Sequence, residues 1–370
     1  MIPVNTPTIY GEEIDFVIES LKAGWVSSES PYLIEFEKQM ATFTNRAFGI
    51  AVSNGTAALE IAVRALGISA GDEVILPSFT IMSCAQAVTK LGAVPVLIDS
   101  ESGSWNMDIK ELESKITKAT KAIMVVHIYG LTTDMNQILS IAKKHGLYVI
   151  EDASEAIGQT CNGEPCGSFG DISTLSFYAN KHISTGEGGM ILTNNKSLEE
   201  KSKYFRNLCF SSERRFKHEE IGWNYRMGGL QAAFGLGQLR NITKTIARKR
   251  EIGSIYNSII PDSNNYQKPQ IENNGSSNCY WVYGIFLNPH GSLKADFVMK
   301  ELEKKGVSTR PFFYPIHLQP VFMKLGMFVS QSFPIAEQLS EFGFYLPSGT
   351  GNTNEEIRKS ALAFLEIIGN

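Results

Sequence analysis

Three short segments of this 370-residue chain carry residue types that could do chemistry together. The first is Ser53-Asn54-Gly55-Thr56, where the apolar run FGIAV stops and small residues begin. A helix starting there exposes unpaired backbone N–H groups and a positive dipole end, which suits a phosphate. An ordinary capped helix is the plainer account, since Ser, Thr and Asn are common caps. The second is Glu151-Asp152-Ala153-Ser154-Glu155, which follows the apolar LYVI and so sits at the edge where open α/β sheets put their ligands. The third is Lys181, which ends SFYANK and is followed by Gly186, Gly188 and Gly189. Glycines permit close backbone approach to a ligand, and a desolvated lysine becomes a usable nucleophile. Taken singly, the acids also fit a surface turn and the lysine a solvated side chain.

Taken together, the three are the parts that a pyridoxal phosphate enzyme requires. The lysine forms a Schiff base, an acid keeps the pyridine nitrogen protonated so that the ring acts as an electron sink, and the helix start holds the phosphate.

These residues need a scaffold, and the pattern around them supplies one. FGIAVSN leads into GTAALEIAVRALG with helical spacing at Ala58, Ile61, Ala62 and Ala65. EVILP, the helix-like TIMSCAQAVTKLG, PVLID, a charged helix DIKELESKITK and the apolar KAIMVVHIYG follow. A helix over DMNQILSIAKKHG, capped by Asp134 and ended by Gly146, leads into LYVIEDAS. Near-continuous apolar strands separated by helices predict an α/β fold with a mostly parallel sheet covered on both faces. IGWNYRMGGLQAAFGLGQLRNITKTIARKREIGSIYNSII reads as a long, partly broken helical connector. The last unit has a strand (YWVYGIFL), a helix (LKADFVMKELEKKG), a strand-loop (VSTRPFFYPIHLQP) and a final helix (NEEIRKSALAFLEIIG), a small α+β domain. The expected division is 1–240 and 241–370.

Composition narrows the function. A net charge of −4, with 34 basic and 38 acidic residues mixed along the chain, gives no footprint for a nucleic-acid partner. Five cysteines without a CxxC pair indicate neither a disulfide framework nor a metal site. The start lacks a signal peptide, and no apolar run approaches the roughly 20 residues that span a bilayer, so the expectation is a cytoplasmic protein with no membrane association.

Nearly the whole chain resembles the nucleotide-sugar aminotransferases of the DegT/DnrJ/EryC1/StrS family. The likeness rests on SNGTAAL, GDEVILPSFT, Glu151-Asp152-Ala153, GSFGDISTLSFYANKHISTGEGGM and GWNYRMGGLQAAFGLGQL. It implies a fold-type I, aspartate-aminotransferase-like homodimer with shared active sites and a seven-stranded sheet in the large domain. By the resemblance, Lys181 is the Schiff-base lysine and proton carrier, and Asp152 pairs with the pyridine nitrogen. Glu155 lies near the cofactor's phenolic side. Gly55, Thr56 and Ser176 hold the phosphate, and Asn224 reaches it from the neighbouring subunit. Ile81 replaces the aromatic ring that commonly stacks on the cofactor. Relatives that dehydrate the sugar carry histidine at the lysine position; His182 is one place too late and reads as an ordinary loop histidine.

The implied reaction moves an amino group from glutamate to the C4 ketone of a nucleotide-linked 4-keto-6-deoxy sugar. By resemblance within the family, Gly24-Trp25-Val26-Ser27-Ser28, HIYG with Asp134-Met135, Glu155 and RPFFYPIH imply GDP-4-keto-6-deoxymannose as the substrate. Enzymes making dTDP- or UDP-linked 4-amino-4,6-dideoxyglucose share these segments in part, and a C3-keto sugar is a further alternative. Trp25, Ser27, Tyr314 and His317 are the substrate-binding candidates, with Arg214, Arg215 and Lys217 as diphosphate contacts or a solvated loop. A cofactor-binding regulator would be expected to lack Lys181 or Asp152, and both are present. By resemblance again, such aminosugars serve bacterial surface polysaccharides such as O-antigen and lipopolysaccharide.

Overall fold

The apolar runs of the first half become the strands of one seven-stranded sheet in a computed structural model that describes residues 1–211, 214 and 216–369. In chain order these are β1 (Phe48–Val52), β2 (Glu73–Pro77), β3 (Val94–Ile98), β4 (Thr120–Val126), β5 (Tyr148–Asp152), β6 (Ile172–Ser176) and β7 (Gly189–Thr193). Their spatial order is β1-β7-β6-β5-β4-β2-β3, and only β7 runs against its neighbours. The carboxyl ends of the parallel strands therefore share one edge.

Helices α1 (Glu12–Lys22) and α2 (Pro31–Phe43) precede the sheet, and α3 (Gly55–Ala65), α4 (Ser83–Thr89), α5 (Met135–His145) and α6 (Lys196–Arg206) lie among or after its strands. Successive strand residues point to opposite faces. Ala122, Met124 and Val126 of β4 share a core with Ala58 and Ile61 of α3, whereas Ile123 and Val125 pack with Met135 and Ile138 of α5. Helix α5 is bounded as its sequence predicts: Asp134 Oδ1 accepts the Gln137 N–H at 3.1 Å, and Gly146 closes the helix at φ 67°. The charged stretch 108–118 departs from expectation, because it forms a 3₁₀ segment, Ile109–Lys115, with Leu112 as its one buried residue. So narrow an apolar stripe cannot hold a longer α-helix against the sheet.

The connector is helical only from Gly229: α7 (Gly229–Arg240) and α8 (Ile242–Ile259) meet at Asn241. Residues 221–228 are extended and bridge Arg226 to Val52 and Asn224 to Asn207. After α8 come β8 (Tyr266–Gln267), β9 (Tyr283–Leu287), α9 (Ala295–Lys304), β10 (Arg310–Pro311), α10 (Pro320–Lys324), α11 (Pro334–Phe342), β11 (Gly343–Leu346) and α12 (Asn354–Gly369). The second sheet, β8-β9-β11-β10, carries its own core of Tyr256, Tyr283, Val298, Phe344 and Phe364. Among the described residues no helix is long and apolar enough to cross a membrane.

Candidate active site

The carboxyl edge of the large sheet and the near edge of the second sheet enclose a cleft of about 350 Å³. Each segment with chemical potential enters it from a strand end. Strand β1 delivers Gly55 and Thr56, β2 delivers Ile81, β5 delivers Asp152 and Glu155, and β6 delivers Ser176 and Lys181.

The turn after β1 is built to be crowded. Asn54 caps α3 by accepting the Ala57 N–H at 2.8 Å. A Cβ on Gly55 would meet Ser176 Cβ at 2.8 Å, so the N-terminus of α3 lies directly against the end of β6. Thr56 Oγ1 and Ser83 Oγ are 2.7 Å apart. The result is a cluster of hydroxyls and free helix N–H groups on one wall, the donor set that an anionic oxygen group needs.

Asp152 is buried. Its Oδ1 accepts the backbone N–H and the hydroxyl of Ser154, at 3.1 and 2.5 Å. The Cys84 thiol lies 3.6 Å from Oδ2, and burial, helped by the Asp152 charge, raises its pKa well above the usual value. It stays a neutral thiol beside the carboxylate. Cys84 and Ser83 escaped the sequence reading, since nothing in SCAQAVT sets them apart from any half-buried helix start.

Glu151, next in sequence, faces the other way and does not enter the cleft. Its oxygens accept from Gly167 N (2.7 Å), Phe169 N (2.8 Å) and Ser173 Oγ (2.9 Å), and His127 Nε2 lies 3.0 Å away. His127, Glu151 and Cys166 come within 4.8 Å of one another, but the Glu151 lone pairs are already used. Arg46 bridges the same loop through Gly167 O and Ser173 Oγ. This network fixes the loop that feeds β6.

Lys181 lies under the second sheet, with one tenth of its side chain exposed. Its Nζ is 3.7 Å from Glu155 Oε1 and 3.8 Å from the centre of the Trp281 ring. Desolvation lowers the lysine pKa against the opposing pull of Glu155, and desolvation raises that of Glu155 against the pull of Lys181. Glu155 Oε2 also accepts the Tyr129 backbone N–H at 2.9 Å. Tyr129 can aim that N–H because it adopts φ 54°, in the left-handed region, and its ring is wedged against Phe312, Phe313 and Trp281. His182 is buried as well: Nδ1 lies 2.7 Å from Ile157 O, and burial pulls its pKa to about 3, so it is neutral.

Residues 7–363 match the profile of the DegT/DnrJ/EryC1/StrS aminotransferase family. The chain belongs to that family. A GDP-perosamine synthase of Escherichia coli O157:H7 is 41% identical over 356 residues, 96% of this chain and 95% of that protein. A GDP-perosamine synthase of Caulobacter vibrioides is 40% identical over 368 residues, 99% and 98% of the two chains. Among solved structures, Spr1654 of Streptococcus pneumoniae in its PLP form superposes with a TM-score of 0.93, covering 100% of this chain and 98% of that one, and at 24% identity it shows the shared fold. The fold is therefore that of the fold-type I aminotransferases.

In this aminotransferase the remaining candidates lie outside the cleft of a single chain. Trp25 and Ser27 occupy the loop before α2, where their carbonyls press on Gly229 at the start of α7. Asn224 is exposed on the extended segment beside α6. Arg214 and Lys217 are exposed, Lys217 pairing with Glu219, and Arg215 is outside the described residues. Tyr314 points to solvent while its neighbour Phe313 lines the cleft, as expected for adjacent residues of an extended segment. His317 is buried against Phe333, with Nε2 3.0 Å from Glu337 Oε1, because the Ile316 N–H is tied to Ser78 O at 2.8 Å and turns the next residue toward α11. Sequence reading does not single out Trp281, and Arg310 enters it only as the first residue of RPFFYPIH, not as a site residue. Neither carries a spacing signal of its own, and the second sheet brings both to the cleft.

Proposed function

We propose that this aminotransferase transfers an amino group from glutamate to the C4 ketone of a nucleotide-linked 4-keto-6-deoxy sugar, converting GDP-4-keto-6-deoxymannose to GDP-perosamine. The observation that carries this reading is full-length identity of 40–41% to two proteins named GDP-perosamine synthase. The overall exchange balances: glutamate loses its amino group to become 2-oxoglutarate, and the sugar ketone becomes an amine.

The residues of the cleft suit pyridoxal phosphate. The hydroxyls of Thr56 and Ser176 at the α3 start, with no space for a side chain at Gly55, would hold the phosphate. Asp152 would face the ring nitrogen, its charge kept in place by Ser154. Ile81, which lines the cleft, would give the ring an aliphatic contact without the additional ~0.5–1.5 kcal/mol of an aromatic pair. When bound, pyridoxal phosphate supplies an aldehyde that takes up amines and a ring that receives an electron pair.

The chain's own part is proton control. Lys181 Nζ, desolvated and within reach of the cleft, removes a proton from the donor carbon in one half of the reaction and delivers one to the sugar carbon in the other. Glu155 stays close enough to balance the lysine charge, and the second sheet excludes water above it. Arg310, which makes no ion pair among the described residues, lies on the rim of a cleft that also holds Asp152, Glu155 and Glu187. It is suited to receive a carboxylate or a diphosphate.

Helix α1 exposes Ile14, Ile18 and Leu21 along one side, continuing to Trp25 and Val26. This stripe fits burial in a homodimer, where Asn224, Trp25 and Ser27 of one subunit would complete the site of the other. The cytoplasm supplies both nucleotide sugars and glutamate and is the compartment we assign.

The test offers the purified protein, with pyridoxal phosphate and glutamate, GDP-4-keto-6-deoxymannose together with dTDP- and UDP-linked 4-keto-6-deoxyglucose. Mass analysis should find the GDP-linked amino sugar. Amination of the dTDP or UDP sugar alone would overturn the substrate assignment.

A further inference from the structure

Lys249, on α8, is a buried lysine with no carboxylate partner among the described residues. It is 2% exposed, and its ammonium donates to two backbone carbonyls, Trp281 O at 2.7 Å and Ser348 O at 2.6 Å. Desolvation pulls its pKa down to about 7, opposed by the Cys279 thiol and assisted by the charge of Lys181. A buried charge is costly unless paired, so a lysine kept here without a counter-ion must serve something its two carbonyls do. Trp281 leads into β9 and Ser348 follows the antiparallel β11, so Lys249 ties the two strands together at one end of the pair that roofs the cleft.

Trp281 is fixed at its other end too. Its indole Nε1 donates to Asn180 O at 2.9 Å, the residue before Lys181, and its ring face lies 3.8 Å from Lys181 Nζ. One side chain thus connects the α8 clamp to the lysine amine.

We propose that Trp281 is a catalytic residue that receives the Lys181 ammonium on its ring face whenever that lysine is not covalently engaged, and that Lys249 is the positioning residue that sets the ring there. This rests on the reading of Lys181 as the proton carrier. A lysine released within each half of the reaction has long, flexible reach, and Glu155 at 3.7 Å holds it from one side only. The ring supplies the second side. It attracts the charged form more than the neutral one, so the lysine is retained while it carries the proton it must deliver.

The test uses the cofactor-free protein and needs no sugar. Intrinsic fluorescence is titrated with pH in the wild type, Lys181→Met and Trp281→Phe; the groups facing the amine are Glu155, Asp152 and the Cys84 thiol, with Lys249, whose amine donates to Trp281 O, behind the ring and removed separately by Lys249→Met. A fluorescence step that appears in the wild type and disappears in both variants is expected. A step that survives in either variant, or no step at all, overturns the ring contact. Lys249→Met should shrink the step, and Lys249→Gln, which keeps a shorter donor, should restore part of it. Lys249→Gln also carries this arm if Lys249→Met fails to fold, and a wild-type step in Lys249→Gln with a wild-type donor rate overturns the positioning role. In the cofactor-loaded enzyme, the rate of the glutamate half-reaction should fall about 10–100-fold in Trp281→Phe and Lys249→Gln, with the half-saturating glutamate concentration unchanged. Failure of every sugar to be aminated would sink the substrate reading and leave these results standing.

Discussion

Glu155 and Lys181 face each other across 3.7 Å in a site that almost no water reaches, and the carboxylate is held there from behind by the Tyr129 N–H. Neither charge is comfortable alone; each is the other's main electrostatic support. Glu155→Gln keeps an oxygen to accept from Tyr129 and removes the charge. The lysine pKa should then fall by about one unit or more. Competitive acylation of the cofactor-free protein, read at the Lys181 peptide over pH, measures it. An unmoved midpoint would show that the carboxylate does not govern the amine.

Asp152→Asn tests the acid at the end of β5. Ser154 still has an oxygen to donate to, so the fold and melting temperature should change little. Turnover should drop by on the order of a hundredfold or more, the scale of losing one preorganised charge. Near-normal turnover with pyridoxal phosphate bound would remove Asp152 from the chemistry. Lys181→Ala, by contrast, should abolish turnover altogether.

The sequence displayed the strand ends clearly and the roof poorly, for a physical reason. Residues such as Asp152, Ser176 and Lys181 lie in runs whose apolar periodicity marks a strand stopping at a sheet edge, so local pattern locates them. Trp281 and Arg310 reach the cleft only because the second sheet folds over it, a contact between distant parts of the chain that no window of sequence contains. The same holds for α11 and β11. IAEQLSEFGFYL passes from helix to strand at Gly343 without a loop, and the punctuation that normally separates elements is missing. In 108–118 the pattern misled: charge spacing suggested a helix, but one buried leucine cannot anchor it.

Glycine 189 marks a contact that tolerates no side chain. A Cβ there would approach Asn54 O at 2.5 Å, driving β7 against the cap of α3. Gly189→Ala should cost about 1–3 kcal/mol, the usual penalty of overpacking, and should weaken cofactor binding by displacing Gly55 and Thr56. Chemical denaturation and a pyridoxal phosphate titration read the two effects. A stable variant with unaltered cofactor affinity would mean the turn yields freely.

Lys249 makes stability depend on pH in a definite direction. Its pKa is about 7 in the fold, against 10.5 for the free side chain. Between those values the unfolded chain holds a proton that the folded chain has lost, so stability rises with pH through that window and is flat, with the full penalty present, below about 7. Relative to Lys249→Met, the wild type should gain up to about 4 kcal/mol between pH 7 and 10. Urea denaturation of both proteins at several pH values measures the difference. Parallel curves would show that the lysine is not desolvated.

Phe313 and His317 lie four residues apart, and the structure gives them opposite surroundings. Phe313 lines the cleft beside Tyr129, whereas His317 is packed on Phe333 and reaches Glu337. The family resemblance, not the residue pattern, put His317 and Tyr314 near the sugar and left Phe313 unremarked. Burial argues the reverse: a histidine with 3% exposure cannot meet a substrate unless the segment around Ile316 N–H and Ser78 O opens. His317→Ala should therefore lower stability by about 1–3 kcal/mol, the cost of a lost buried partner, with kcat/KM for the sugar nucleotide within about twofold per folded molecule. Phe313→Ala should raise KM for the sugar about tenfold, roughly one ring's worth of apolar contact, and leave the melting temperature closer to the wild type. If His317→Ala instead raised that KM while preserving stability, the histidine would have to reach the sugar in a closed form of the site, with Phe333 moving aside.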